Sequence, residues 1–233
     1  MTEKWNNQGS GVLREETLLL HACRAGVYGS RIPYASGEIN QAYFTYLSGR
    51  PNGDLLKERP DLFNGRSLIC LSWEWEDYIR THPALDSILL RRLMKPRCAP
   101  STKTLRPLPA GYRLCPFDED AFLAHPYGHG SVYGSYEAFA RRGSGAVVRY
   151  DGRIVASASS HLTLGNDVEL DVTTDAGHRG KGLADHCVAA MLNDCASRGL
   201  IVHWDAKNTP SMKMALQHGF TLQQEYAVYL VKL

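Results

Sequence analysis

Residues 167–184 of this chain read DVELDVTTDAGHRGKGLA, and this stretch decides the fold. Its first part, residues 168–174, predicts a strand. Apolar residues then recur at helical spacing over residues 184–195, and Gly199 supplies a helix stop. The sequence therefore predicts a strand that enters a helix through the turn Arg179-Gly180-Lys181-Gly182.

This turn has the chemistry of an anion site. Backbone N–H groups are unpaired at a helix start, and the helix dipole with two cationic side chains favours a negative ligand. The Walker pattern is excluded because Gly182 follows Lys181, and the dinucleotide fingerprint needs a glycine where Asp185 stands. A phosphate or pyrophosphate site is predicted, and the alternative is a basic, glycine-rich turn without a ligand.

The sequence after this helix predicts a strand, a short helix and a final strand. Residues 200–204 form the first strand, and residues 226–231 close the chain as the last. Between them, Thr209 is the expected N-cap and Pro210 the first helical residue. The short helix is expected to end at the pair Gly219-Phe220. Earlier in the chain, Asp151-Gly152 lies between two strand-like stretches, residues 145–150 and 153–160, and predicts a type I′ hairpin turn.

The motifs in this order resemble a known superfamily. The spacing Arg179-x-x-Gly182-x-Ala184 resembles the acetyl-CoA signature of the GNAT superfamily of N-acetyltransferases. Together with Trp204-Asp205-x-x-Asn208-x-x-Ser211 and Ala215-x-x-x-Gly219-Phe220, it looks like the branch whose named member is the zwittermicin A resistance acetyltransferase. The resemblance covers residues 104–233 well and the N-terminal part only loosely.

The resemblance implies an α/β (α+β) fold of the GNAT acyl-CoA N-acyltransferase type. The expected sheet is mixed and mostly antiparallel, with helices on both faces and a splay between two neighbouring parallel strands that admits the cofactor. Residues 104–233 are expected to form the acetyltransferase domain. Residues 1–100 form a further α/β region, either a degenerate GNAT-like partner or a scaffold segment. A composition change over residues 94–109 predicts a linker between them.

The resemblance also implies how acetyl-CoA, the expected co-substrate, is held. The pantetheine arm would run along the strand before the turn, and the pyrophosphate would sit on the amides of the turn. Asn208 and Ser211 match positions that commonly reach the pantetheine region, although each also fits a local turn or helix-start role. The expected cofactor-binding residues are Val172, Thr173, Thr174, Arg179, Gly180, Lys181, Gly182, Leu183, Ala184, Asn208 and Ser211.

Glu169 is the first candidate for the base that deprotonates an acceptor amine, and Asp171 is the second. Residues two apart on a strand share a face, so both carboxylates are expected to point the same way unless a bulge intervenes. Structural carboxylates are the alternative. Many relatives carry a tyrosine acid four residues before the Gly-Phe pair, where this chain has Ala215. Tyr226 is therefore a candidate acid, as is Tyr229, unless the thiolate leaves without a protein donor.

Composition excludes several classes of function. A net charge of +2 and the absence of basic–aromatic runs give no case for a nucleic-acid binder, and no apolar run has membrane-spanning length. The N-terminus lacks a signal-peptide core, so a cytoplasmic location is expected. The six cysteines show no paired spacing and are expected to be reduced.

The stretch of residues 125–130 (HPYGHG) contains two histidines four residues apart. Its proline and glycines argue against a helix that would bring both histidines to one metal, so no metal is predicted. Residues 124–136 are expected to form a loop over the acceptor site.

In the N-terminal half, helices are predicted over residues 15–25 and 37–47, a strand over 66–73, and a largely helical stretch over 75–93. The predicted function is acetyl-CoA-dependent N-acetylation of an amine by direct attack, most simply on a small molecule such as an antibiotic or toxic metabolite. A protein lysine or N-terminal acetyltransferase and a non-catalytic acyl-CoA-binding module are the alternatives. A homodimer is left open.

Overall fold

The computed structural model of this chain describes residues 9–124 and 129–232. These residues form two compact units. The first unit contains residues up to 94 together with residues 205–212 and 222–233, and the second contains residues 95–204 and 213–221. The expected division into residues 1–100 and 104–233 stays a prediction, although the last strand is grouped with the N-terminal residues.

The first unit is a mixed sheet with three α-helices. Its strands lie in the order β1-β2-β3-β4-β11-β5, and all neighbours are antiparallel except β3 and β4. The strands are β1 (Ser30–Tyr34), β2 (Gly37–Gln41), β3 (Thr45–Gly49), β4 (Ser67–Cys70), β5 (Leu85–Arg97) and β11 (Leu222–Val231). The helices are α1 (Leu18–Arg24), α2 (Gly53–Glu58) and α3 (Trp73–Thr81), with a 3-10 helix, η1, at Pro60–Leu62.

Two predictions for this unit are wrong. Residues 37–47 form the hairpin of β2 and β3 instead of a helix. A Cβ at Gly37 would lie 2.1 Å from the Ser48 carbonyl oxygen, so the glycine allows the close strand contact that decides the structure. Residues 75–93 are helical only as far as Thr81, because Pro83 holds His82 extended (ψ 131°), and β5 begins at Leu85. The predicted linker over residues 94–109 loses its first four residues to β5.

The second unit contains the turn Arg179-Gly180-Lys181-Gly182, the predicted phosphate turn, which connects β9 to α7. Its strand order is β10-β9-β8-β7-β6, antiparallel except for β9 and β10. The strands are β6 (Tyr112–Pro116), β7 (Gly145–Tyr150), β8 (Arg153–Leu164), β9 (Asp167–Thr174) and β10 (Ile201–Ala206), of which the last two residues belong to the first unit. The helices are α4 (Glu119–Ala124), α5 (His129–Tyr133), α6 (Tyr136–Arg142), α7 (Leu183–Ser197) and α8 (Thr209–Gln217, shared between the units), and a 3-10 helix, η2, spans Ala176–His178.

The local signals in this unit are confirmed. Asp151 and Gly152 both have positive φ (47° and 77°), as a type I′ hairpin turn between β7 and β8 requires. Helix α7 buries its predicted apolar face against β7, β8 and β9. It ends before Gly199, whose φ of 68° is left-handed. The predicted mixed, mostly antiparallel α/β architecture is confirmed.

Residues 124–136 are not a single loop. His129–Tyr133 form helix α5, and residues 125–128 lie outside the described residues. The ring of His129 is fully buried among Phe117, Phe122 and Phe139, so it belongs to an aromatic core. No helix among the described residues is long and apolar enough to cross a bilayer.

Candidate functional site

Strand β9 presents one free edge to a ligand. On one side it pairs with β8 along its whole length, from Asp167 to Thr174. On the other side its parallel register with β10 contains three pairs and ends at Glu169 and His203. In the described part of the chain, residues 170–174 have no register partner on β10, which is the splay expected between two parallel strands. The predicted pantetheine contacts Val172, Thr173 and Thr174 lie on this half-exposed segment.

The turn after β9 has the open geometry that an anion requires. Gly180 and Gly182 are exposed and adopt left-handed φ angles of 75° and 74°. A Cβ at Gly180 would meet no atom within 4 Å, and one at Gly182 would meet only the Asp185 carboxylate at 3.8 Å. The space beside both glycines is therefore empty, so a ligand can reach the backbone there.

Helix α7 starts at this turn without a side-chain cap. Its N-cap is Gly182, and no side chain among the described residues accepts a hydrogen bond from the helix's first amides. The first N–H groups of a fifteen-residue helix consequently remain available, together with the positive end of its dipole. Leu183 and Ala184 are buried and anchor the turn to the core.

Two cationic side chains extend from the turn into solvent. Arg179 donates through Nε to the Thr174 carbonyl (3.1 Å), which ties the turn to the end of β9. Lys181 donates through Nζ to the Tyr112 hydroxyl (2.7 Å). Neither cation pairs with a carboxylate among the described residues, so their positive charge is available to a ligand.

A polar network lies behind the first turn of α7. The Asp185 carboxylate accepts hydrogen bonds from Lys103 Nζ and, at 3.1 Å, from Nε2 of the fully buried His218. Burial opposes ionisation of Asp185, but these two hydrogen bonds outweigh it and lower the pKa of the carboxyl. Because Lys103 and His218 already satisfy its charge, Asp185 does not cancel the charge of the turn.

The two candidate bases keep the predicted arrangement on β9. The register shift in this pair of strands falls on β8 at His161, between Ser160 and Leu162, so β9 itself is regular. Glu169 and Asp171 therefore share a face of the sheet. Glu169 is buried (7% exposed) and Asp171 is half-buried.

The candidate acid Tyr226 lies in the first unit and is fully buried. Its hydroxyl donates to the Asp205 carboxylate, which also accepts from Arg91 Nε at 3.1 Å. Burial, and then the charge of Asp205, raise the pKa of Tyr226 well above its usual value. Tyr229 is likewise buried and donates to Glu76 (2.8 Å). Sequence reasoning missed Arg91, because no local signal links residues 114 positions apart.

The start of α8 differs from its prediction. Asn208 accepts through Oδ1 from the Ser211 amide (3.0 Å), so Asn208 is the cap and Thr209 is already helical. The amide oxygen of an asparagine caps more effectively than a threonine hydroxyl. Ala215, at the position where relatives carry a tyrosine, is fully buried.

The predicted cofactor residues thus fall into two groups. The residues of β9 and the turn are brought together in the second unit, whereas Asn208 and Ser211 belong to the first. Among the described residues no group of three or more side chains could hold a metal ion. His125 lies outside the described residues, and the expectation of a metal-free site stays a prediction.

Comparison with known proteins gives consistent matches. A family model described as GNAT acetyltransferase matches residues 22–229. An uncharacterized N-acetyltransferase, YdfB, from Bacillus subtilis (strain 168) is 33% identical over 135 residues, 54% of this chain and 51% of the relative. The match therefore spans about half the length of that curated relative.

Solved structures share the fold. A GCN5-related N-acetyltransferase-like protein from Streptococcus suis 89/1591 superposes with a TM-score of 0.74 at 24% identity and covers 93% of both chains. A putative GNAT-family acetyltransferase from Novosphingobium aromaticivorans gives a TM-score of 0.54 at 16% identity, covering 92% of this chain and 94% of its own. Both matches include the N-terminal half of the chain.

Proposed function

The chain belongs to the GNAT acetyltransferase family, and from this premise we propose that it transfers an acetyl group from acetyl-CoA directly to an amine. One observation carries the proposal: the free edge of β9 leads into a turn with two exposed left-handed glycines and an uncapped helix start. Acetyl-CoA has the matching parts, an amide-bearing pantetheine arm and a pyrophosphate.

The chain's residues fit this co-substrate part by part. The backbone of Val172, Thr173 and Thr174 lies on the free edge and would pair with the pantetheine amides as an added strand would. The pyrophosphate would accept from the amides of the turn and the first residues of α7. These are Arg179, Gly180, Lys181, Gly182, Leu183 and Ala184. Asn208 and Ser211 are proposed to reach the pantetheine, with the Asn208 amide nitrogen as donor because its oxygen caps α8.

The amine must lose a proton to become a nucleophile, because a primary amine with a pKa near 10 is mostly charged at neutral pH. Glu169 is proposed to accept that proton, with Asp171 on the same face as the second candidate. The amine nitrogen bonds to the acetyl carbonyl carbon and the C–S bond breaks. Tyr226 is the proposed donor to the departing thiolate, and its phenol would first have to release its hydrogen bond to Asp205.

Direct transfer is favoured over an acetyl intermediate on the buried cysteines. Cys187 and Cys195 are buried, and burial raises the pKa of these thiols to about 12 and about 11. Cys70 is buried as well, and its pKa is also raised. A thiol with such a pKa is almost entirely protonated at neutral pH and is a poor nucleophile.

The acceptor is proposed to be a small-molecule amine, as in the zwittermicin A resistance branch that the motifs resemble, and the location is proposed to be cytoplasmic. A protein lysine or N-terminal amine is the alternative acceptor. A non-catalytic acyl-CoA-binding module is a third candidate, and the buried Ala215 in place of the usual tyrosine favours it. Release of free thiol from acetyl-CoA in the presence of an amine separates catalysis from binding alone.

Calorimetric titration of acetyl-CoA into wild type and two glycine variants tests the proposal. Gly182→Asp places a carboxylate at the pyrophosphate position. Gly165→Asp is the matched control, because Gly165 is also an exposed left-handed turn glycine (φ 60°) with no atom within 4 Å of its Cβ position. Both variants carry a similar left-handed strain of roughly 1–2 kcal/mol.

Wild type and Gly165→Asp are expected to bind acetyl-CoA with equal affinity, and Gly182→Asp is expected to lose binding. Absence of binding to wild type, or equal binding by all three proteins, would overturn the proposed cofactor site. Thermal unfolding of both variants checks that a loss of binding is not a loss of fold.

A further inference from the structure

A cluster of three side chains stands beside the phosphate turn. Tyr112 on β6 places its hydroxyl 2.7 Å from Lys181 Nζ and 2.8 Å from His178 Nδ1. The Lys181 ammonium also lies 5.2 Å from the centroid of the Tyr112 ring. Neither Tyr112 nor His178 is among the cofactor-binding residues that the sequence predicts.

The hydrogen-bonding groups that this cluster leaves unused are donors. An ammonium can only donate, so the Tyr112 oxygen accepts from Lys181. With neutral His178, the phenol hydrogen is donated to Nδ1, and the tautomer then carries its hydrogen on Nε2. With protonated His178, Nε2 also bears a hydrogen. In either state the cluster offers two remaining ammonium hydrogens and the Nε2 hydrogen.

No carboxylate of the described residues pairs with this donor set. In the stretch of chain that the structure describes, neither Lys181 nor His178 forms an ion pair with a carboxylate. Lys103, a few residues before β6, shows the contrasting case, since its ammonium is bonded to Asp185. The cluster is thus a set of donors and a positive charge without an anion.

Aromatic packing holds the cluster in place. The Tyr112 ring lies on that of Tyr150, with centroids 4.6 Å apart, and His178 lies 5.5 Å from Tyr150. A Cβ at Gly111 would stand 3.0 Å from the Tyr150 ring, so a glycine (φ 84°) is needed for this approach. Side chains fixed before binding lose less entropy when they bind a ligand.

We propose that Lys181, His178 and Tyr112 form a second phosphate subsite, which receives the 3′-phosphate of coenzyme A. This inference rests on the proposed function, in which the backbone amides of the turn take the pyrophosphate. Coenzyme A carries one other anionic group, a phosphate monoester with a charge close to −2. Lys181 and His178 would donate to it, and Tyr112 acts as the positioning residue that fixes both.

The test compares acetyl-CoA with acetyl-3′-dephospho-CoA by calorimetry, in wild type, Lys181→Met and Tyr112→Phe. Tyr112→Phe keeps the stacked ring and removes only the hydroxyl. Lys57→Met, which removes an exposed lysine of α2, is the control for net charge. A charge-assisted contact predicts that wild type binds acetyl-CoA roughly tenfold more tightly than the dephospho form.

Lys181→Met is expected to abolish most of this preference. Tyr112→Phe is expected to reduce it about two- to fivefold, because Lys181 and His178 lose the hydroxyl that positions them. Lys57→Met should retain it. Equal binding of both ligands by wild type, or an equal loss for both ligands in the variants, overturns the subsite while leaving the proposed function intact. If wild type binds neither ligand, the proposed function falls and the subsite with it.

Discussion

The buried cluster of Arg91, Asp205 and Tyr226 in the first unit and the exposed cations of the phosphate turn in the second use charge in opposite ways. Arg91 donates to the Asp205 carboxylate and, at 2.9 Å, to the Asp205 backbone carbonyl. The Arg91 guanidinium lies over the Phe44 ring. Within the described residues, Arg179 bonds to the Thr174 carbonyl and Lys181 to the Tyr112 phenol, and neither pairs with a carboxylate. A cation matched within the chain stabilises the fold, whereas an unmatched one is available to a ligand.

Burial explains why Arg91 needs a partner within the chain and the exposed cations do not. The Arg91 and Asp205 side chains are 14% and 5% exposed, so each charge depends on the other for solvation. The charge of Asp205 accordingly raises the pKa of Arg91 despite its burial. Arg179 and Lys181 remain in contact with water and need no partner from the chain. Substitutions should therefore separate stability from binding.

Arg91→Met should have the largest effect on stability. Removing one member of a buried pair leaves the Asp205 carboxylate uncompensated, and a loss of about 3–5 kcal/mol in the free energy of unfolding is expected. Urea unfolding at neutral pH measures it. Arg59→Met, which breaks an exposed pair with Asp61, is the control and should leave the midpoint unchanged. A variant as stable as wild type would contradict a structural role for the pair.

Glu76→Gln should have an intermediate effect that depends on pH. Burial opposes ionisation of Glu76, but hydrogen bonds from the Gly11 amide, Tyr229 and Ser10 outweigh it and lower its pKa from the ordinary 4.5. A carboxyl with a lowered native pKa contributes stability that is present above its unfolded pKa and is lost as pH falls through the native value.

The free energy of unfolding of Glu76→Gln should therefore lie about 1–3 kcal/mol below that of wild type at neutral pH, because buried bonds to a charged group are weakened. The gap should narrow as pH falls below about 4. Urea unfolding of both proteins at several pH values gives the two curves. A gap that is constant with pH would show that the charge of Glu76 is not what stabilises the native state.

Arg179→Met should have the smallest effect on stability and a clear effect on binding. As an exposed side chain without an ion pair, it should change the free energy of unfolding by no more than about 0.5 kcal/mol. Acetyl-CoA affinity should fall roughly tenfold at low salt, and less at high salt where the charge is screened. Calorimetry at two salt concentrations checks this, and a stability loss comparable to that of Arg91→Met would remove the contrast between the regions.

The sequence predicted the parts of the fold that depend on neighbouring residues. The Asp151-Gly152 turn, the strand–turn–helix of residues 167–199 and the helix stop at Gly199 follow from short-range backbone preferences. The cap of α8 was misplaced by one residue, because Asn208 and Thr209 are both good caps and only the Ser211 contact distinguishes them. The cofactor residues of β9 and the turn were predicted from the resemblance to the GNAT superfamily, which rests on the spacing Arg179-x-x-Gly182-x-Ala184.

Long-range contacts were beyond the reach of a single sequence. Residues 85–93 resemble a helix because β5 is partly buried on both faces and shows no alternation. Arg91 meets Asp205, and Tyr112 meets Lys181, across separations of 114 and 69 residues. Neither pair has a local signature, and only the strand order brings its members together.

Backbone amide NMR of the labelled protein during titration with acetyl-CoA tests the central claim most directly. The account predicts that the largest shifts fall on the amides of residues 172–174 and 179–184, with residues 151–152 and 165 unchanged. Saturable shifts that avoid both segments, or an unperturbed spectrum at millimolar acetyl-CoA, would contradict the assignment of this strand and turn as the cofactor site.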